Sequence, residues 1–182
     1  MTEERKGRPT LSTPRLWLSP ANPSEAQALQ SLWNEPDVRK FLWDDKPVSL
    51  DSARETVDAG NASFRERGFG LWCVNLTHSG VLAGFCGLRA FGTAGEIEIV
   101  FGLGPSRTGN GYATEAARAV LAHGFGACGL AETWGRVDEP NLRSVRVLER
   151  LGMVLRRTLK GGRFPMLEYV VAKGDFSPAP GK

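Results

Sequence analysis

The spacing of apolar and polar positions changes several times along the chain, and each change marks an element. Ala26, Leu29, Leu32 and Trp33 recur at helical spacing and predict a helix over 24–34, ended by Pro36, after a short strand at 16–18. A second helix is expected over 49–64, capped by Ser49 or by the box Ser52-Ala53-Arg54-Glu55, with Gly68 closing the segment. Three strand-like runs follow, LWCVNL (71–76), VLAGFCGLR (81–89) and EIEIVFGL (96–103). Turn signals at 78–80 and 92–95 join them into an antiparallel meander.

Beyond the third run the period returns to helical. Ala113, Ala116, Ala117, Val120, Leu121 and Phe125 lie on one face of a helix running to about residue 127, directly after a glycine-rich turn. A strand at 132–137, a helix over 141–151 ended by Gly152, and strands at 153–158 and 167–172 complete the order. No internal repeat interrupts it. The reading is one mixed α/β domain over 11–174, with polar tails at 1–10 and 175–182 expected to fray.

Composition narrows the function classes. With 182 residues, the chain can bury roughly 70% of its unfolded surface without staples. Its three cysteines form no CxxC pair, and with two histidines there is no metal-ligand spacing, so no metal is expected. The polar start MTEERKGRPT and the lack of a run of about 18 apolar residues predict a soluble, cytoplasmic protein with no membrane partner. On that expectation the triplets Asn61-Ala62-Ser63 and Asn75-Leu76-Thr77 are chance matches to a glycosylation acceptor. A formal charge of +3 without a basic run argues against nucleic acid.

The stretch SRTGNGYATEA at 106–116 carries the chemistry. It is neither GxxxxGK[ST] nor GxGxxG, because Thr114 stands where the third glycine would be. What remains is strand, Gly-x-Gly, helix. Unpaired N–H groups at a helix start bind a pyrophosphate where no side chain blocks approach, and Gly109, Gly111 and Ala113 leave that space.

Several ordered motifs resemble the GNAT N-acetyltransferases, in particular their RimJ/RimL-like branch. They are LGPxxxGxGYATEA at 103–116 with Glu98-Ile99 upstream, NLRSVRVLERLG at 141–152, TPRLWL at 13–18, NEPDV at 34–38, and GFGLW followed by GFCGL at 68–72 and 84–88. The resemblance covers most of the chain. It implies a splayed, mostly antiparallel sheet of about six or seven strands flanked by about four helices, and acetyl-CoA as cosubstrate. The family motif [QR]-x-x-G-x-[GA] falls on Thr108, Gly109, Asn110, Gly111, Tyr112 and Ala113. Threonine replaces its first residue and Arg107 is displaced by one, so the loop relies on its backbone N–H groups. Arg107 through Thr114 are thus the expected pyrophosphate site, and Val100, Phe101, Gly102 and Leu103 are the strand edge along which the pantetheine arm would pair.

Alternation puts Glu96 and Glu98 on one strand face, and Glu98 occupies the family's carboxylate position, as a base or an orienting group; otherwise both are solvated strand residues. Asn141 is either a helix cap or a hydrogen-bond partner of the arm. Ser144 is the nearest donor to the sulfur, since the position of the family's tyrosine acid is Leu148 here. Cys86 and Cys128 have no sequence-evident base, which favours direct transfer over an acetyl-enzyme. Trp33, Phe41 and Trp43, beside Asp44 and Asp45, are either core flank or the lining of an acceptor pocket, with Glu96 as a further acceptor-side residue. The expected acceptor is a primary amine, first a protein α-amine and alternatively a small molecule. A homodimer and a non-catalytic acyl-CoA sensor remain open.

Overall fold

The computed structural model describes residues 8–93, 95–160 and 162–179. Strands β1 (Leu11–Ser12), β2 (Leu16–Pro20), β3 (Leu71–Leu76), β4 (Leu82–Phe91), β5 (Glu96–Leu103), β6 (Glu132–Asp138), β7 (Val154–Leu159) and β8 (Met166–Ala172) form one sheet in the order β1-β2-β3-β4-β5-β6-β8-β7. All neighbours are antiparallel except β5 and β6. Five α-helices accompany them: α1 (Ala26–Asn34), α2 (Pro36–Leu42), α3 (Leu50–Arg67), α4 (Tyr112–Gly126) and α5 (Leu142–Arg150). The described residues thus hold one or two more strands and one more helix than expected.

The extra helix is α2. Pro36 does not only end α1: Glu35 turns to φ −56°, ψ 130°, and the proline then opens a new helix at its first position, where its missing N–H costs nothing. The start of α3 is capped by Ser49, whose side chain accepts from the Ser52 N–H at 3.1 Å, and Gly68 closes it in a left-handed conformation.

Alternation along β3 and β4 divides the core between two faces. On one, Ile97 and Ile99 of β5 pack with Ala116, Ala117, Val120 and Phe125 of α4. On the other, Cys73 and Phe85 pack with Leu29 and Trp33 of α1 and Ala53 and Val57 of α3. Each large side chain so buried contributes about 1.5–3 kcal/mol. Helix α5 approaches β6 closely because Gly135 has no side chain; a Cβ there would stand 2.6 Å from Leu148.

The described ends of the chain make a few specific contacts. Arg8 Nη1 donates to Asn61 Oδ1 at 2.6 Å, the Pro9 carbonyl accepts from Trp72 Nε1 at 2.7 Å, and Phe176 lies tilted against Phe125 with ring centres 5.1 Å apart. Residues 1–7 and 180–182 of the expected tails lie outside the described residues.

Candidate active site

Strand β5 stays paired with β4 along its whole length, from Glu96–Phe91 to Leu103–Gly84. Its pairing with β6 is confined to one position, Glu98 opposite Trp134. Past that point the strands part, and residues 100–103 are only half-buried. The edge of β5 facing β6 there has backbone groups without a sheet partner, which an extended ligand can use.

The glycine loop stands at the end of this opening. A 3-10 turn, Pro105–Arg107, leads through Thr108, whose hydroxyl donates to the Pro105 carbonyl at 2.9 Å. Gly109 and Gly111 both take left-handed φ, 81° and 79°. Gly111 is the N-cap of α4 and offers no side chain to its first N–H groups, and nothing lies within 4 Å of a Cβ built on Gly109. A helix start so arranged suits an anion. Tyr112 and Ala113 turn toward the core, and the Thr114 hydroxyl is shielded with no hydrogen-bond partner among the described residues.

A clamp that sequence reasoning missed fixes this loop. Arg15, between β1 and β2, donates through Nη1 to the Asn110 carbonyl at 3.0 Å and pairs with Glu115 of α4 at 2.6 Å. Its guanidinium lies 4.7 Å from the centre of the Tyr112 ring. Thr13 Oγ1 donates to Glu115 at 2.6 Å. The signal was present in the TPRL string at 13–16, but its partner is 100 residues away.

Glu98 is not a solvated strand residue. It is 2% exposed, and both carboxylate oxygens are engaged: Oε1 by Arg89 Nε at 2.7 Å and Arg136 Nη2 at 3.0 Å, Oε2 by Arg136 Nε at 2.7 Å. Burial pushes its pKa up, but the two guanidiniums outweigh burial and hold the carboxyl below its ordinary range. Asp138, two residues beyond Arg136 and on the same face of β6, behaves oppositely. Burial and the neighbouring Asp44 charge raise its carboxyl, partly opposed by Arg163.

At the start of α5, Asn141 Oδ1 accepts from the Ser144 N–H at 3.3 Å, so Asn141 is a helix cap. Its Nδ2 is the group left for a ligand. Ser144 is half-buried in the first turn.

The four expected acceptor-side residues separate. Trp33 and Trp43 come together, ring centres 5.7 Å apart, in the wall of a cavity of about 410 Å³. Neither indole N–H has an acceptor among the described residues, an omission that costs about 1–3 kcal/mol for a buried donor. Phe41 lies outside that wall and packs on Phe164 at 6.2 Å; with Arg163–Asp45 at 3.3 Å it ties the end of α2 to the β7–β8 connection. Glu96 lines a different, more polar hollow with Glu132, Trp134 and Arg156.

The cysteines need one correction. Cys73 and Cys86 are buried, with thiols pushed well above their ordinary range by burial. Cys128, however, does have a histidine beside it: His123 Nε2 lies 3.3 Å from its sulfur. That nitrogen is also 2.8 Å from the Gly68 carbonyl, which can only accept, so Nε2 carries a proton and is not a base toward the thiol. No group of three or more candidate metal ligands occurs among the described residues, and none of their helices is long and apolar enough to cross a membrane.

The sequence of residues 15–154 matches the family model described as acetyltransferase (GNAT) domain. YkkB of Bacillus subtilis strain 168 is 32% identical over 143 residues, 76% of this chain and 80% of its own. The FsC-acetyl coenzyme A-N(2)-transacetylase of Aspergillus fumigatus is 29% identical over 157 residues, 81% of this chain and 66% of its own. The structure of RimL, a ribosomal L7/L12 alpha-N-protein acetyltransferase in complex with coenzyme A, superposes with a TM-score of 0.76 at 18% identity, covering 90% of this chain and 98% of that one.

Proposed function

The chain belongs to the GNAT acetyltransferases, and from that premise we propose that it acetylates the α-amine of a protein or peptide N-terminus, as the RimJ/RimL-like branch does, by direct attack in a ternary complex. At the level of the family it is an acetyl-CoA-dependent N-acetyltransferase. The residues present fit that cosubstrate: left-handed glycines at 109 and 111, an uncapped helix start, and a strand edge released from its neighbour. The release of β5 from β6 immediately ahead of the glycine loop supports the cosubstrate; the observation that carries the α-amine reading is Glu98, whose carboxylate oxygens are both held by Arg89 and Arg136.

Acetyl-CoA, when bound, supplies an acetyl thioester, so a C–N bond forms as the C–S bond breaks and one proton passes from amine to thiol. The backbone N–H groups of 109–114 hold the pyrophosphate, the edge of residues 100–103 and Asn141 Nδ2 hold the arm, and Ser144 donates toward the sulfur. Freeing an α-amine of pKa about 7.7 at pH 7 costs about 1 kcal/mol, against about 4.6 for a lysine side chain near 10.4. An α-amine therefore requires no strong base. Glu98, with both oxygens occupied, serves to orient Arg89 and Arg136 beside the opening.

The test is thiol release from acetyl-CoA over N-terminal peptides, lysine-containing peptides with blocked N-termini, and small amines. Release confined to peptides with free N-termini supports the reading. Release confined to small amines would replace it with a small-molecule acetyltransferase, a reading the cavity of about 410 Å³ also accommodates. Tight coenzyme binding with no release anywhere would point to a sensor.

A further inference from the structure

The cavity holding Trp33 and Trp43 has the composition of a recognition pocket. Its volume, about 410 Å³, lies at the small end of the roughly 300–1,000 Å³ usual for such sites. Leu71 and Phe85 supply apolar sheet wall, and α3 faces them with short side chains, Ala59, Gly60 and Ser63, which leave the space open. Trp33 is held edge-on against Phe85 at 5.8 Å and is 2% exposed.

Two features say what would fill it. The wall accepts a bulky apolar group. The cavity also reaches Val100, where β5 has left β6, and Arg89, which holds Glu98. A group lodged here is therefore next to the strand edge assigned to the acetyl-bearing arm.

We propose that the cavity receives the side chain of the acceptor's amino-terminal residue, and so selects α-amines carrying a large apolar or aromatic side chain. The inference rests on the α-amine reading above. It names a chemical class, an α-amino amide with an apolar side chain, which either a peptide N-terminus or a free amino-acid amide can present.

Two measurements on the full chain test it. In the first, phenylalanine amide is titrated while intrinsic tryptophan fluorescence is read; a saturable change is expected, and it should weaken at least tenfold in Ala59→Phe, which fills the cavity from the exposed face of α3. Ser63→Leu serves as the second filling variant. Retained stabilisation by acetyl-CoA shows that each variant is folded. In the second, kcat/KM from thiol release is compared for tetrapeptides beginning with Phe, Leu, Gly or Asp and for phenylalanine amide. Phe and Leu should exceed Gly and Asp about tenfold or more, and the filling variants should bring the Phe-to-Gly ratio near one. Peptides and amide both active locate recognition in the first residue; peptides alone extend it along the chain, with the same ranking.

No saturable fluorescence change, or equal rates for Phe and Gly, overturns the inference. Binding of phenylalanine amide without thiol release from any α-amine would sink the transfer reading and leave the cavity assignment standing.

Discussion

The glycine loop ahead of α4 and the cavity beneath α3 belong to one sheet but are built from different material. The loop is a backbone device: within 104–114 it needs two left-handed glycines, a helix start and no intruding side chain. The cavity is a side-chain device, its wall drawn from α1, the end of α2, α3 and three strands, between residues 33 and 100. The difference predicts opposite tolerances. The loop should withstand exchange of most side chains but not an added Cβ at a left-handed position, whereas the cavity should keep its shape through backbone-neutral changes and alter its choice of ligand with one methylene.

The sharpest break of that contrast is Gly111→Val. Gly111 has φ 79°, and a β-branched residue there is strained by about 1–3 kcal/mol, with the new Cβ 3.5 Å from Arg15 Nη2. Acetyl-CoA at a hundredfold excess over its dissociation constant should stabilise the wild type by about 2.7 kcal/mol, and this should vanish in the variant. Thermal unfolding with and without acetyl-CoA, alongside circular dichroism to show that the variant folds, measures it. A folded Gly111→Val with normal coenzyme stabilisation would remove the cradle from the site.

The same contrast explains what could be read from sequence. The meander, α4 and the loop were legible because each follows from period and turn chemistry within about a dozen residues, and Ile97 and Ile99 turned inward as alternation required. The partner of Arg15 was not legible, because Glu115 reaches it only through the folded sheet. Nor was the burial of Glu98: local alternation put it on a polar face, and only the β4–β5 register and the approach of β6 bring Arg89 and Arg136 over it. The opening of α2 at Pro36 was missed because a proline both ends one helix and begins another, and period alone does not distinguish the two in seven residues.

Glu98 stands between the two regions, and Glu98→Gln sharpens how they meet. Glutamine keeps the shape but not the charge that orients the arginines, so kcat/KM with an α-amine should fall about tenfold, about 1.4 kcal/mol of transition-state stabilisation. The loss should be the same from pH 6.5 to 9. A deficit that shrinks above the amine pKa would make Glu98 a general base. Stability supplies a second reading: with a folded pKa below the ordinary 4.5, the carboxylate's contribution is complete above about pH 4.5 and is lost as pH falls through the lower folded value. Acid unfolding should therefore be less steep in that interval for Glu98→Gln than for the wild type.

The smallest expected effects fall on Asn141, where a backbone device and a ligand contact share one side chain. Its Oδ1 caps α5 through the Ser144 N–H, while Nδ2 is the donor proposed for the pantetheine arm. Asn141→Ala removes both functions, and loss of the cap should cost about 1 kcal/mol of stability. Asn141→Asp separates them: a carboxylate caps as well as a carboxamide and sits favourably at a helix N-terminus, so unfolding in urea should be unchanged within about 0.5 kcal/mol. It cannot donate, so the KM for acetyl-CoA should rise about threefold to tenfold, as expected for one hydrogen bond of about 0.5–1.5 kcal/mol. If Asn141→Asp instead matches the wild type in both stability and KM while Asn141→Ala loses stability alone, the residue is a cap and nothing more, and the arm is held by the edge of β5.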